Sequence, residues 1–194
     1  MNTTSLGLLD RLKHAKPDAA EWRRLQDVYL PLIRSWLSRL PGLHDEIEDL
    51  TQEVFAVIYR ELPSFERRRD GSFRAWLRQV TVNRMRAFCK ARHRRWRLGF
   101  GREADSLLSQ LADPTSDLAH QWDRDHDRHV FQKLLDVVQA DFEPKTWQAF
   151  LRFAQEGRSA AGVAEELGMS ESAVVQAKFR VLKRLREEAG ELLD

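Results

Sequence analysis

The sequence predicts an all-α protein: two helical domains joined by a flexible linker, the C-terminal one a helix-turn-helix. Three observations predict it. Glycine and proline are scarce, 9 and 6 in 194 residues, and fall between long segments where they act as punctuation. Within those segments apolar residues recur at three- and four-residue spacing. No alternating run of β-branched residues appears, which argues against a sheet.

Helical spacing begins near Ser5 with Leu6, Leu9 and Leu12 and breaks at Pro17. A second helix from about Asp18 carries Trp22, Leu25, Val28, Tyr29, Leu32, Ile33, Trp36, Leu37 and Leu40 as one stripe and ends before Pro41-Gly42. Pro31 lies inside it, where its ring is expected to kink the helix. A third helix covers about Asp45 to Leu62 and stops at Pro63. A fourth starts near Ser72, with Phe73, Trp76, Leu77, Val80 and Phe88 on one face and basic residues elsewhere.

From Leu98 to about His120 the spacing fades, and GFGREADSLLSQLADPTSD reads as a linker rich in Gly, Ser, Asp and Pro. Helical patterning returns over Trp122 to Asp141, Pro144 to Gln155 and Ser159 to Leu193. The expected domains are therefore 1–97 and 122–194, with 98–121 between them.

Charge is segregated. Residues 65–102 hold 13 Lys/Arg against 2 Asp/Glu, whereas 1–64 hold 8 against 10 and 103–194 hold 11 against 18. A middle segment of net charge +11 inside a chain of net +2 would attract a polyanion, with nucleic acid the leading candidate. The single cysteine, Cys89, excludes an intramolecular disulfide and fits a reducing compartment. The N-terminus lacks the pattern of a secretory signal, and no apolar run approaches the ~20 residues of a membrane span. A soluble, cytoplasmic protein without membrane insertion is expected.

The most specific local pattern is SAAGVAEELGMSESAVVQAKFRVLKRLR. Val163 and Ala164 face inward on a short helix, and Leu167 closes it. Gly168 stands where a left-handed residue is needed, and Ser170 can cap the next helix. That helix has Val174, Phe179, Leu182 and Leu185 as apolar positions. A short helix, a glycine turn and a longer basic helix make a helix-turn-helix. Ser170, Ser172, Gln176, Lys178, Arg180, Lys183 and Arg184 are its candidate DNA contacts. A plain helical hairpin with a solvated basic face is the alternative.

Phe65 to Arg97 mixes arginines with aromatic rings. A protein holding separated strands needs both, because bases stack on rings while Lys and Arg track the backbone. Phe73, Trp76 and Leu77 read as core, leaving Phe65, Trp96 and the basic residues for contact. In the third helix, Asp45, Asp49 and Glu53 are four residues apart and share a face suited to a basic partner surface. A metal site from His44, Asp45, Glu48, Asp49 and Glu53 is the competing reading, but it needs ligands from elsewhere. His120, His126 and His129 lack cysteine partners and read as a solvated helix start.

The block from IEDLTQEVF to FCKARHRR resembles the promoter-melting domain of bacterial sigma factors, and the C-terminal helix-turn-helix resembles their upstream-reading domain. Two such blocks in this order, with only a linker between, resemble the extracytoplasmic-function group. The resemblance implies that Glu48, Asp49, Gln52, Glu53 and Phe55, together with Asp45, dock on core RNA polymerase. It implies that Phe65, Arg67, Arg68, Arg69 and Asp70 form a loop that captures a flipped base. Asn83, Arg84 and Arg86 would contact the melted strand or adjacent duplex, and Arg92, Arg94 and Arg95 would grip phosphates. The chain departs from the family pattern at Val175, Gln176 and Ala177 of the recognition helix. The implied partners are core polymerase and promoter DNA, duplex and melted, with an anti-sigma protein as the common regulator of the group. No cofactor and no catalysis are implied. The rival readings are a helix-turn-helix regulator acting without polymerase and a metal-dependent nuclease using the acidic cluster.

Overall fold

The computed structural model describes residues 12, 20–41, 43–66, 72–91 and 101–192. Among them every regular element is helical: α1 (Ala20–Leu37), α2 (Ile47–Glu61), α3 (Ser72–Ala91), α4 (Gly101–Ala112), α5 (Asp117–Gln139), α6 (Pro144–Phe150), α7 (Ala160–Leu167) and α8 (Glu171–Leu192). None of these is long and apolar enough to cross a membrane. The described residues up to Val130 form one compact unit and those from Phe131 onward another.

In the N-terminal unit α1 buries the expected stripe, Trp22 through Leu37, and runs unbroken through Pro31. Pro31 is exposed, and the amide it lacks removes one rung of the helical ladder without ending it. The helix closes in tighter turns, with Arg39 N–H donating to the Trp36 carbonyl at 3.2 Å and Leu40 N–H to Leu37 at 3.1 Å. Leu50, Thr51, Val54, Phe55 and Ile58 of α2 are buried, and Trp22 packs on Tyr59 with ring centroids 4.5 Å apart. A 3-10 turn, Leu62–Ser64, comes next and starts on Pro63. Helix α3 buries Phe73, Leu77, Val80, Val82 and Met85, with Arg78 among them.

Residues 98–121, expected as a linker, are helical over α4 and again from Asp117. The boundary between compact units falls after Val130 rather than near 121. The physical reason lies in what the leucines meet. Leu108 and Leu111 are buried. With Leu107 and Leu118 they line a small apolar cavity of about 50 Å³ against Trp36, Leu37, Leu40, Thr81 and Met85. The Asp, Pro and Ser residues that suggest a loop are a connector between helices. Thr115 N–H donates to Asp113 Oδ1 at 2.9 Å and Ala119 N–H to Ser116 Oγ at 3.0 Å, an Asx turn followed by an N-cap.

The first half of α5 completes this unit. Ala119, Trp122, His126 and Val130 are buried. Trp122 lies on Trp36 at 5.1 Å between centroids, and His126 stacks on Tyr29 at 5.8 Å. His129 Nε2–H donates to the Val28 carbonyl at 2.6 Å. Only His120 of the three is exposed, so the solvated helix start expected of these histidines is a packed face instead. Three aspartates on α5 meet three arginines: Asp123 holds Arg78 at 3.0 Å, Asp125 holds Arg39 at 2.7 Å and Asp127 holds Arg74 at 2.9 Å.

In the C-terminal unit Ala149, Val163, Ala164, Val174 and Ala177 form the core, with Phe153, Ala160, Leu167 and Met169 packed against it. Helix α6 starts on Pro144 and passes into a π-helical turn, Leu151–Gln155. The chain then turns at Gly157, whose φ is +70°. Two arginines, Arg152 and Arg158, converge on Glu166 of α7.

Candidate nucleic-acid interface

The helix-turn-helix is built by local chemistry. Ser159 Oγ accepts from Gly162 N–H at 3.2 Å and starts α7. Gly168 ends it in the left-handed region at φ +55°, ψ +51°, where a Cβ is disfavoured. Met169 N–H reaches back to the Ala164 carbonyl at 2.9 Å, a Schellman closure of the helix end. Lys145 donates to the Gly168 carbonyl at 3.0 Å, tying α6 to the turn. Ser170 Oγ then accepts from Ala173 N–H at 3.1 Å and caps α8.

That capping engages Ser170 structurally. Other expected DNA contacts on α8 are also held within the unit: Lys178 lies over the Phe153 ring at 5.3 Å and Arg180 over Phe142 at 5.8 Å. Arg184 donates to Asp141 and Glu188, each at 2.7 Å. Ser172, Gln176 and Lys183 stand exposed. Phe179, expected in the apolar stripe, is instead 63% exposed. The buried register is Val174, Ala177, Val181 and Leu185. Phe179 precedes Val181 by two residues and so points roughly 160° away from it. Leucine and phenylalanine at helical spacing offered two stripes, and small Ala177 took the inward one.

In the N-terminal unit the acidic face of α2 is exposed at Glu48, Asp49, Gln52 and Glu53, as is Asp45 in the turn just before the helix. Phe55 is buried, 4% exposed, so it packs beneath that face rather than presenting a surface. Glu48 pairs with Arg34 of α1 and Glu53 with Arg84 of α3. Among the described residues no three His, Cys, Asp or Glu side chains come together to hold a metal ion.

On α3, Asn83 is exposed and accepts from Gln79 Nε2 at 2.8 Å; Arg84 and Arg86 are half-buried. Phe65 packs edge-on against Phe73 at 5.7 Å and tilted on Trp76 at 5.2 Å. Trp76, expected as core, is only partly buried. With Glu61, Ser64, Glu66 and Ser72 these two rings line an open recess, and the buried Ser72 Oγ has no hydrogen-bond partner there. Rings and an unpaired hydroxyl suit a planar, polar-edged group. Arg67, Arg68, Arg69 and Asp70, and Arg92, Arg94 and Arg95, lie outside the described residues, as does Trp96. Cys89 is buried, and burial, reinforced by the negative charge of Asp105, pushes its thiol above the ordinary value. A thiol so placed stays protonated and unreactive.

Sequence reasoning missed Arg78, 7% exposed, which looks like one more solvated arginine until its partner on α5 is seen.

Residues 25–95, from the first turns of α1 to just beyond the end of α3, match the family model of sigma-70 region 2. That matched stretch is a little over a third of the chain. The match runs from Leu25 in the first stripe to Arg95 in the basic segment, so the α2 face, the recess and the outward side of α3 all fall within the matched stretch. A curated relative, the "Probable RNA polymerase sigma factor RfaY" of Xanthomonas campestris pv. campestris, is 28% identical over 147 residues, 76% of this chain and 35% of the relative. The matched stretch is thus about a third of that relative's length.

Proposed function

We propose that the chain is a transcription initiation factor of the extracytoplasmic-function group. It docks on core RNA polymerase through the exposed acidic face of α2 and the turn before it, chiefly Asp45, Glu48, Asp49, Gln52 and Glu53. The region 2 unit holds the downstream promoter element. A base of the melted strand enters the recess lined by Phe65 and Trp76, while Asn83, Arg84, Arg86 and the arginines flanking α3 track the backbone. The helix-turn-helix unit reads the upstream element as duplex. The protein contributes binding energy and no bond chemistry, so it needs no cofactor, and an anti-sigma protein is its expected regulator. The observation that carries this reading is the pairing of a region 2 match with a complete helix-turn-helix corner in a separate unit of one chain.

The test is co-migration of the purified chain with bacterial core polymerase, then permanganate footprinting of promoter duplex for unstacked thymines. Binding with opening supports the proposal. DNA binding without any polymerase association points instead to an ordinary helix-turn-helix regulator, and metal-dependent cleavage of the duplex would point to a nuclease.

A further inference from the structure

Phe179 is the most exposed large hydrophobic side chain among the described residues, and it sits on the helix assigned above to the major groove. At 100° per residue, Ser172, Gln176, Phe179 and Lys183 fall within an arc of roughly 60°, and all four are exposed. The arc lies opposite the buried register of Val174, Ala177, Val181 and Leu185. An aromatic ring on a face flanked by polar and basic residues forgoes the transfer free energy that burial would return. A duplex supplies what the ring lacks. Lys183 and Arg186, both exposed, complement the phosphates on either side of a groove, and the one apolar group on the major-groove edge of any base pair is the thymine 5-methyl. Gln176, three residues earlier on the same face, carries the amide that suits adenine N6 and N7.

We propose that Phe179 reads a thymine methyl in the major groove, so that an A·T pair is part of what this helix selects. The inference rests on the helix-turn-helix reading and adds a base preference to it.

The experiment uses the full chain, alone and with core polymerase, to select duplexes from a randomised pool. Each thymine of the best-bound duplex is then replaced by deoxyuridine, which removes only the methyl. The expected result is one position at which uracil weakens wild-type binding about fourfold, the worth of one buried methyl. Phe179→Ala should bind the thymine duplex more weakly and no longer distinguish it from the uracil duplex, while Phe179→Leu keeps part of the discrimination. Because the side chain is exposed, unchanged melting of the variants confirms that they fold. Indifference of wild type to every uracil replacement overturns the proposal. So does equal discrimination by Phe179→Ala, or its undiminished affinity, which would assign the ring to a protein partner. A wild-type chain that enriches no duplex under either condition overturns the helix-turn-helix reading itself and the inference with it.

Discussion

Arg78 of α3 donates to the Asp123 carboxylate of α5 at 3.0 Å and to the Ala119 carbonyl at 3.3 Å, with 7% of its surface exposed. A guanidinium removed from water this far depends on those acceptors. Arg78→Ala should therefore lower the unfolding free energy by about 2–3 kcal/mol, through the lost charge-assisted bonds and the lost packing of its stem. Arg78→Lys should recover only part of this, since an ammonium is more strongly hydrated than a guanidinium and costs more to hold out of water. Urea denaturation of the three proteins decides it, and a loss under about 0.5 kcal/mol for Arg78→Ala would show that the pair is dispensable.

Gly168→Ala tests the corner of the helix-turn-helix. A Cβ there would meet only Lys145 Nζ at 4.0 Å, so space is not the obstacle. The cost is the left-handed backbone, about 1 kcal/mol. Gly168→Asn should cost less, because asparagine tolerates that region. Thermal melts in which alanine equals glycine would refute a role for backbone strain.

Glu53 and Arg84 pair across α2 and α3 with 47% and 36% of their side chains in solvent, so the pair contributes less than about 1 kcal/mol to stability. On the roles proposed for the two helices, Glu53→Ala should weaken polymerase retention and Arg84→Ala should weaken DNA affinity with a shallower salt dependence. The charge-swapped double variant should regain stability without regaining either function. Recovery of polymerase retention by the swap would mean that the carboxylate acts only by holding Arg84.

Glu166 is held below the ordinary carboxylate value, first by the hydrogen bond from Arg158 and then by the charges of Arg158 and Arg152. A carboxylate lowered in the folded state stabilises it above the unfolded value of 4.5, and that stability is lost as pH falls through the lowered native value. The C-terminal unit should therefore weaken as pH drops below about 4.5, and Glu166→Gln should flatten that limb. Fluorescence of Trp147, buried in this unit, tracks it, and parallel acid limbs for wild type and variant would exclude Glu166 as the source.

The helices of the N-terminal unit could be read from sequence because their apolar stripes are wide: Trp22 through Leu37 face one way, with no competing register. The glycine corner was equally legible, since Gly168 and Ser170 act within a few residues of themselves. What escaped was long-range. Whether Arg78 is solvated depends on an aspartate 45 positions away, and whether Leu107 to Leu111 is a linker depends on a surface offered by Trp36 and Met85. Short apolar runs between polar caps look the same in sequence whether or not a neighbour covers them. Phe179 failed for a different reason: two stripes fit the same helix, and only the packing of Ala177 and Val181 chooses between them.

The α5 aspartates also shape what an approaching polyanion encounters. Arg39, Arg74 and Arg78 have their charge cancelled at contact distance by Asp125, Asp127 and Asp123, so to a distant phosphate that side of the unit is nearly silent. The pull on a distant polyanion then falls to basic residues off that face. On the role proposed for this unit, the α5 face adds little to the encounter with DNA, and steering by charge is left to the rest of the surface.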